Sequence, residues 1–77
     1  MNVVELRSGS DRLEPLQAKM REYIENGARL GWLIDPIQRR VEIYRPGLAV
    51  EVLENPALMS GEQVLPGFTL NMRRLWG

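Results

Sequence analysis

Two short apolar runs, Val3-Val4-Glu5-Leu6 and Leu30-Gly31-Trp32-Leu33-Ile34-Asp35, bracket a segment that contains an amphipathic stretch and the only lysine of the chain, Lys19. Their order predicts a strand-helix-strand crossover, and a crossover that joins parallel strands is right-handed in nearly all cases. The first run reads as a short buried strand, Asn2 to Arg7, in which Glu5 points to the face opposite Val4 and Leu6. The second run is apolar on both pleat faces, as in a central strand covered on each side, and Gly31 leaves room for a helix to approach closely.

Between the runs, Ser8-Gly9-Ser10-Asp11 is turn chemistry that ends the first strand. Asp11 and Glu14 have the spacing of a capping box, but Pro15 disfavours the helical region for the residue before it. The regular helix is therefore expected from Pro15, with Glu14 as its cap. At about 100° per residue, Leu13, Leu16, Met20, Tyr23 and Ile24 share one arc of the helix and form a core-facing stripe. Asn26-Gly27 stops the helix by the left-handed route that glycine permits. Lys19 projects onto the rim of the stripe beside Tyr23, where its stem can pack while its ammonium reaches the end of the sheet. Leu16, Met20, Ile24, Trp32 and Ile34 are expected to share one core.

Downstream of Asp35, turn residues Asp35 to Gln38 lead into an alternating segment, Arg39 to Arg45, which reads as a half-exposed hairpin strand. Pro46-Gly47 turns the chain, and Leu48 to Leu53 supplies a third hairpin member with Val50 and Val52 on one face. Asn55 to Gly61 reads as a loop, Gln63-Val64-Leu65 as a short extended piece and Pro66-Gly67 as another turn. Phe68, Leu70, Met72, Leu75 and Trp76 form an apolar flap, expected to be a single helical turn capped by Asn71.

The 77 residues read as one small domain, 1–77, with no repeat or linker to divide them. A chain of this size buries only about 60–65% of the surface that its unfolded form exposes, so a lone monomer is marginally stable. With no cysteine and no histidine, disulfide frameworks, the usual zinc sites and histidine bases are excluded. Ten acidic and ten basic side chains are interspersed, so no net field favours nucleic acid or an anionic membrane. No basic leader precedes an apolar core and a cleavage site, and no apolar run approaches the 18 or so residues of a membrane span. A soluble cytoplasmic protein without a membrane partner is the expectation.

The chemical inventory is short. Ser8-Gly9-Ser10 follows a strand and precedes a helix, but lacks the spaced glycines and the lysine-serine pair of a phosphate loop. Neither serine has a histidine to activate it. Arg39-Arg40 and Arg73-Arg74 are pairs rather than clusters and read more readily as solvated side chains than as a nucleic-acid contact. What is left is Glu5 near one strand end and Lys19 on the following helix. Both have a bland reading: Glu5 on an edge strand in water, and Lys19 as a lysine lying along an apolar rim. Both also have a chemical one, because a carboxylate and a lysine near strand ends can hold a divalent metal and orient a water once a second acid completes the set.

Five ordered segments decide how these residues are placed: Val3 to Ser8 with Ser10-Asp11, Leu16 to Tyr23, Asn26 to Pro36, Val41 to Gly47, and Leu65 to Phe68. Together they resemble the C-terminal half of the Uma-two family, a set of bacterial proteins grouped by similarity with the PD-(D/E)xK nucleases. The resemblance implies an α/β fragment of a restriction-endonuclease-like fold. Its expected parts are the crossover, antiparallel hairpin strands and a short C-terminal helical turn.

The resemblance further implies that Glu5 is the metal-holding acid of the third nuclease motif and that Lys19 is the catalytic lysine, moved from strand to helix. Such acids hold magnesium while the lysine polarises the attacking water or stabilises the developing charge on phosphorus. Two departures stand against a working site. The family's first metal-binding Asp lies on a strand upstream of the matched region, so this chain is expected to be N-terminally truncated. Arg7 and Gly9 also occupy positions where the family pattern has lysine and proline. The site is thus incomplete or vestigial, with no tightly bound cofactor, and magnesium is expected only where a partner completes it. The isolated chain is expected to be inactive and to associate, as a homodimer or with another protein, through an uncovered sheet edge. Two alternatives stand beside this: a magnesium-dependent DNA endonuclease subunit that borrows its missing acid, and a small regulatory or structural module.

Overall fold

The structure is a computed structural model that describes residues 2–54, 58–60 and 69–71. Strand β1 (Asn2–Leu6) leads to helix α1 (Leu13–Glu25), then to β2 (Leu30–Asp35), β3 (Arg40–Tyr44) and β4 (Glu51–Glu54). These strands form one sheet in the order β1-β2-β3-β4, with β1 parallel to β2 and the other neighbours antiparallel. The crossover and the hairpin that follows it are thus as the sequence predicts. Leu58–Ser60 (β5) and Thr69–Asn71 (β6) pair antiparallel as a second, two-stranded sheet. The expected loop from Asn55 to Gly61 therefore contains a strand, and Leu70 of the expected flap lies in one. Gln63 to Leu65, Pro66-Gly67 and the helical turn after Asn71 lie outside the described residues. Among the described residues no helix is long and apolar enough to cross a membrane.

Helix α1 begins at Leu13, two residues before the expected Pro15, with Arg12 as an extended N-cap whose side chain makes no capping bond. Pro15 is tolerated because it falls in the first turn, where the N–H groups have no intrahelical acceptor to lose. Asp11 is occupied elsewhere: its Oδ2 accepts the Ser8 N–H at 2.9 Å and the Ser8 hydroxyl at 2.8 Å, closing the turn after β1. The C-terminus ends as predicted. Gly27 adopts φ +104°, its N–H bonds the Ile24 carbonyl, and the Ala28 N–H bonds that of Tyr23, the paired bonds of a Schellman cap.

Five of the six residues of β2 are buried, and alternate ones serve different clusters. Leu33 packs with Met20 and Tyr44 under the helix, joined by Leu13, Leu16, Tyr23 and Ile24. Trp32 and Ile34 point the other way and pack with Val41 and Ile43, flanked by Leu30 and Leu53. The single core expected for Leu16, Met20, Ile24, Trp32 and Ile34 is therefore two clusters with the sheet between them, as a side-chain period of two requires. Gly31 sits where a Cβ would meet the Met20 methyl at 2.6 Å, so its bare backbone admits Met20.

Three further assignments differ from the sequence reading. On β1 the acid faces the helix, while Val4 and Leu6 are about half exposed on the other side. The face of β3 that carries Glu42 and Tyr44 is buried rather than half-exposed, because α1 lies over it. Arg39 belongs to the turn before β3, with φ +54°.

The two parallel strands are tied at their C-terminal ends. Arg7 Nη1 meets Asp35 Oδ2 at 2.9 Å, with the Asp35 carboxylate almost wholly buried, and Arg7 Nε donates to the Asp11 carbonyl. The other Asp35 oxygen accepts the N–H groups of Ile37 and Gln38 and shapes the turn into β3. Arg7→Leu strands a buried carboxylate, and a loss of about 3–5 kcal/mol in unfolding free energy is expected. Asp35→Asn keeps an acceptor for the turn while removing the charge, so adding it to Arg7→Leu is expected to restore most of that loss. Urea unfolding of the single and double variants checks this, and a double variant no more stable than Arg7→Leu contradicts it.

Candidate functional site

Glu5 reaches toward α1 from the terminal strand β1, and two side chains one helical turn apart, Lys19 and Tyr23, come down to meet it. Lys19 Nζ lies 3.0 Å from Glu5 Oε1, and the Tyr23 hydroxyl donates to the same oxygen at 3.0 Å. The ammonium also stands 5.9 Å from the centroid of the Tyr23 ring. The Glu5 side chain is 23% exposed and that of Lys19 50%, so the cluster sits at a rim that solvent reaches. Hydrogen bonding to Glu5, then to Tyr23, holds the Lys19 ammonium above its ordinary pKa of 10.5.

The two residues singled out by the sequence are thus brought together. In the sequence Tyr23 reads as part of the core stripe; its ring packs there, and its hydroxyl bonds Glu5. Its spacing of four from Lys19 was the available signal.

A metal ion demands more than this cluster offers. Among the described residues no three acidic, histidine or cysteine side chains are grouped so as to hold one. Glu42 lies on the same sheet face and in the same cross-strand row, Glu5–Leu33–Glu42. Two strand spacings, about 9–10 Å, separate it from Glu5, and oxygen ligands must come within about 2.0–2.6 Å of a shared magnesium or calcium ion. It is also already satisfied: Gln17 Nε2 donates to both of its oxygens, at 2.9 and 3.2 Å, and the Tyr44 hydroxyl to one at 2.6 Å. Asp35 is bound by Arg7. Two hydrogen bonds from Ser8, backbone then side chain, hold the Asp11 carboxyl below its usual range, but they use its carboxylate to close a turn. The described residues do not by themselves fit the metal that the family resemblance implies.

Comparison with known proteins agrees with a nuclease-like α/β fold. The sequence model of the Uma2 (Uma-two) family, described as "Putative restriction endonuclease", matches residues 2–73, and the chain belongs to this family. Among solved structures it is similar to a protein from Anabaena variabilis titled a "putative nuclease belonging to DUF820", with 26% identity and a TM-score of 0.77. That match covers 95% of this chain and 41% of the Anabaena protein, so the chain spans less than half the length of this relative. No curated protein matches.

Two groups in and beside the site make stability depend on alkaline pH. Burial first, and then its hydrogen bond to the Glu42 carboxylate, push the Tyr44 phenol far above its ordinary 10.0. Lys19 is raised as well. In both cases the unfolded chain releases its proton first, so stability is fully present below about pH 10 and is lost as the pH climbs from there toward the folded-state values. The melting temperature is therefore expected to fall steeply above pH 10, and Tyr44→Phe to flatten part of that fall. Calorimetry from neutral to pH 11 tests it; an unchanged slope in Tyr44→Phe contradicts the role given to the buried phenol.

Proposed function

We propose that this chain is a nuclease-like domain that does not cut nucleic acid on its own and acts by association, with a second copy or another protein, in the bacterial cytoplasm. The observation that carries this reading is the closure of Glu5 on itself and its neighbours. Its Oε1 is shared by Lys19 and Tyr23, and no second acid converges on it among the described residues. An ammonium at 3.0 Å neutralises the carboxylate that would attract a cation, and a lone acid supplies too little negative charge to hold one beside a phosphate.

A second reading is that the chain is one part of a metal-dependent DNA endonuclease in which another polypeptide supplies the missing acid. The Anabaena protein favours it, its title reading "putative nuclease" and its chain being more than twice as long as the stretch matched. In that assembly Glu5 would be one acid of the set, and Lys19 would place positive charge beside the phosphate undergoing attack.

Incubation of the purified chain with supercoiled plasmid and magnesium or manganese separates inactivity from activity, and no cleavage is expected. Cleavage that follows the protein through purification and is lost in Glu5→Ala and Lys19→Ala contradicts the first reading. Lys19→Arg adds a control: a planar, permanently charged fork does not replace a compact ammonium at a working site. It is expected to matter only if cleavage is seen.

A further inference from the structure

We propose that Tyr23 is the positioning residue of the rim cluster: its hydroxyl fixes Glu5 Oε1 at the point where Lys19 meets it, so that lysine and carboxylate hold one geometry instead of many. This rests on the reading above that Glu5 closes on its neighbours, and it names the side chain that sets the closure.

Neither charged partner can set it alone. Lys19 carries its ammonium on a long flexible stem and is half exposed, and Glu5 reaches across from the terminal strand β1. A solvent-reached pair of that kind loses side-chain entropy on closing and gains little from charges that water screens. Tyr23 differs. It turns about only two side-chain bonds, and its ring packs against the cluster of Met20, Leu33 and Tyr44 beneath the helix, which holds the phenol oxygen in place. From there the hydroxyl donates to Glu5 Oε1 at 3.0 Å, the same atom that Lys19 Nζ meets at 3.0 Å. The helix supplies the alignment, because positions 19 and 23 are neighbours on one flank. The Lys19 ammonium stands 5.9 Å from the Tyr23 ring centroid, within reach of the attraction between a cation and an aromatic face. Among the groups that hold the Lys19 proton, Tyr23 comes second only to Glu5. One rigid side chain thus acts on both flexible ones.

The consequence is a division of the carboxylate. Oε1 carries both donors, and Oε2 has no bond among the described residues. Fixing the first oxygen also fixes the second, since both belong to one planar group. Oε2 is therefore the atom of Glu5 left for a ligand, which is the arrangement the second reading needs if a partner brings the missing acid. Without the hydroxyl the ion pair can still form, but Lys19 is released to solvent for part of the time.

Lys19 is the only lysine of the chain, so a lysine-selective probe reads this one side chain. The test times acetylation of Lys19 by a small acyl reagent, at one mildly alkaline pH, with mass spectrometry of the peptide that carries it. Tyr23→Phe keeps the ring and its packing and removes only the hydroxyl. It is expected to react about threefold faster than the wild type, the scale of one hydrogen bond, and Glu5→Gln faster still. Tyr44→Phe removes a hydroxyl bonded to Glu42 from the same apolar cluster and is expected to react as the wild type does, which separates lost positioning from a loosened core. An unchanged rate in Tyr23→Phe overturns the inference, as does an equal rise in Tyr44→Phe. Carbon-13 relaxation of labelled lysine in the wild-type chain is a second readout, and it needs no variant to fold. A Lys19 Cε of restricted mobility is expected; one as mobile as a free surface lysine overturns the inference. Neither readout requires metal, partner or cleavage, so the plasmid assay judges the non-catalytic reading separately.

Discussion

Strand β2 has to be covered on both faces at once. Leu33 faces the helix, while Trp32 and Ile34 face the opposite side, and all three are almost completely buried. That requirement brings α1 down onto one side, with Met20 seated over the bare backbone of Gly31. It also ranks the strands: β1 and β3 flank β2, and β4 is left at the end. With β2 held in place, Arg7 and Asp35 lock the ends of the parallel pair, and the row Glu5–Leu33–Glu42 is set across the sheet beneath the helix.

The position of that row explains the chemistry. The helix runs over Leu33 and divides the two acids between its flanks. Lys19 and Tyr23 reach Glu5 on one side, and Gln17 with Tyr44 satisfies Glu42 on the other. Each carboxylate finds its donors locally, and the apolar strand between them prevents the two from sharing a cation. One cluster lies open at the rim and pairs opposite charges. The other is buried and is bonded only to neutral donors, a costly arrangement unless every acceptor is satisfied.

How far the sequence could be read follows from which signals are local. The two-sided apolar run Leu30 to Ile34, the glycine stop at Gly27 and the turn at Pro46-Gly47 are written in adjacent residues, and each appears where expected. The phase of the flanking strands is not local. Val4 and Leu6 look like the buried face of β1, and Glu42 and Tyr44 like the open face of β3, until the helix is placed; which face a helix covers is a tertiary choice that alternation alone does not contain. Glu5 and Lys19 were legible through the family resemblance, and the structure brings them within 3.0 Å. Tyr23 was hidden because an aromatic ring in a core stripe reads as packing, although its hydroxyl needs a partner. Pro15 reads in the sequence as a barrier to an earlier start of α1, whereas the first helical turn tolerates it.

Glu5, held by Lys19 and Tyr23, is not expected to accept a divalent ion in the chain alone. Manganese titration followed by side-chain NMR reads this directly, because a bound paramagnetic ion broadens only the resonances near it. No broadening centred on Glu5, Lys19 and Tyr23 is expected at submillimolar manganese. Broadening confined to those three residues at that concentration, and abolished in Glu5→Ala, would contradict the account and establish a metal site within the chain.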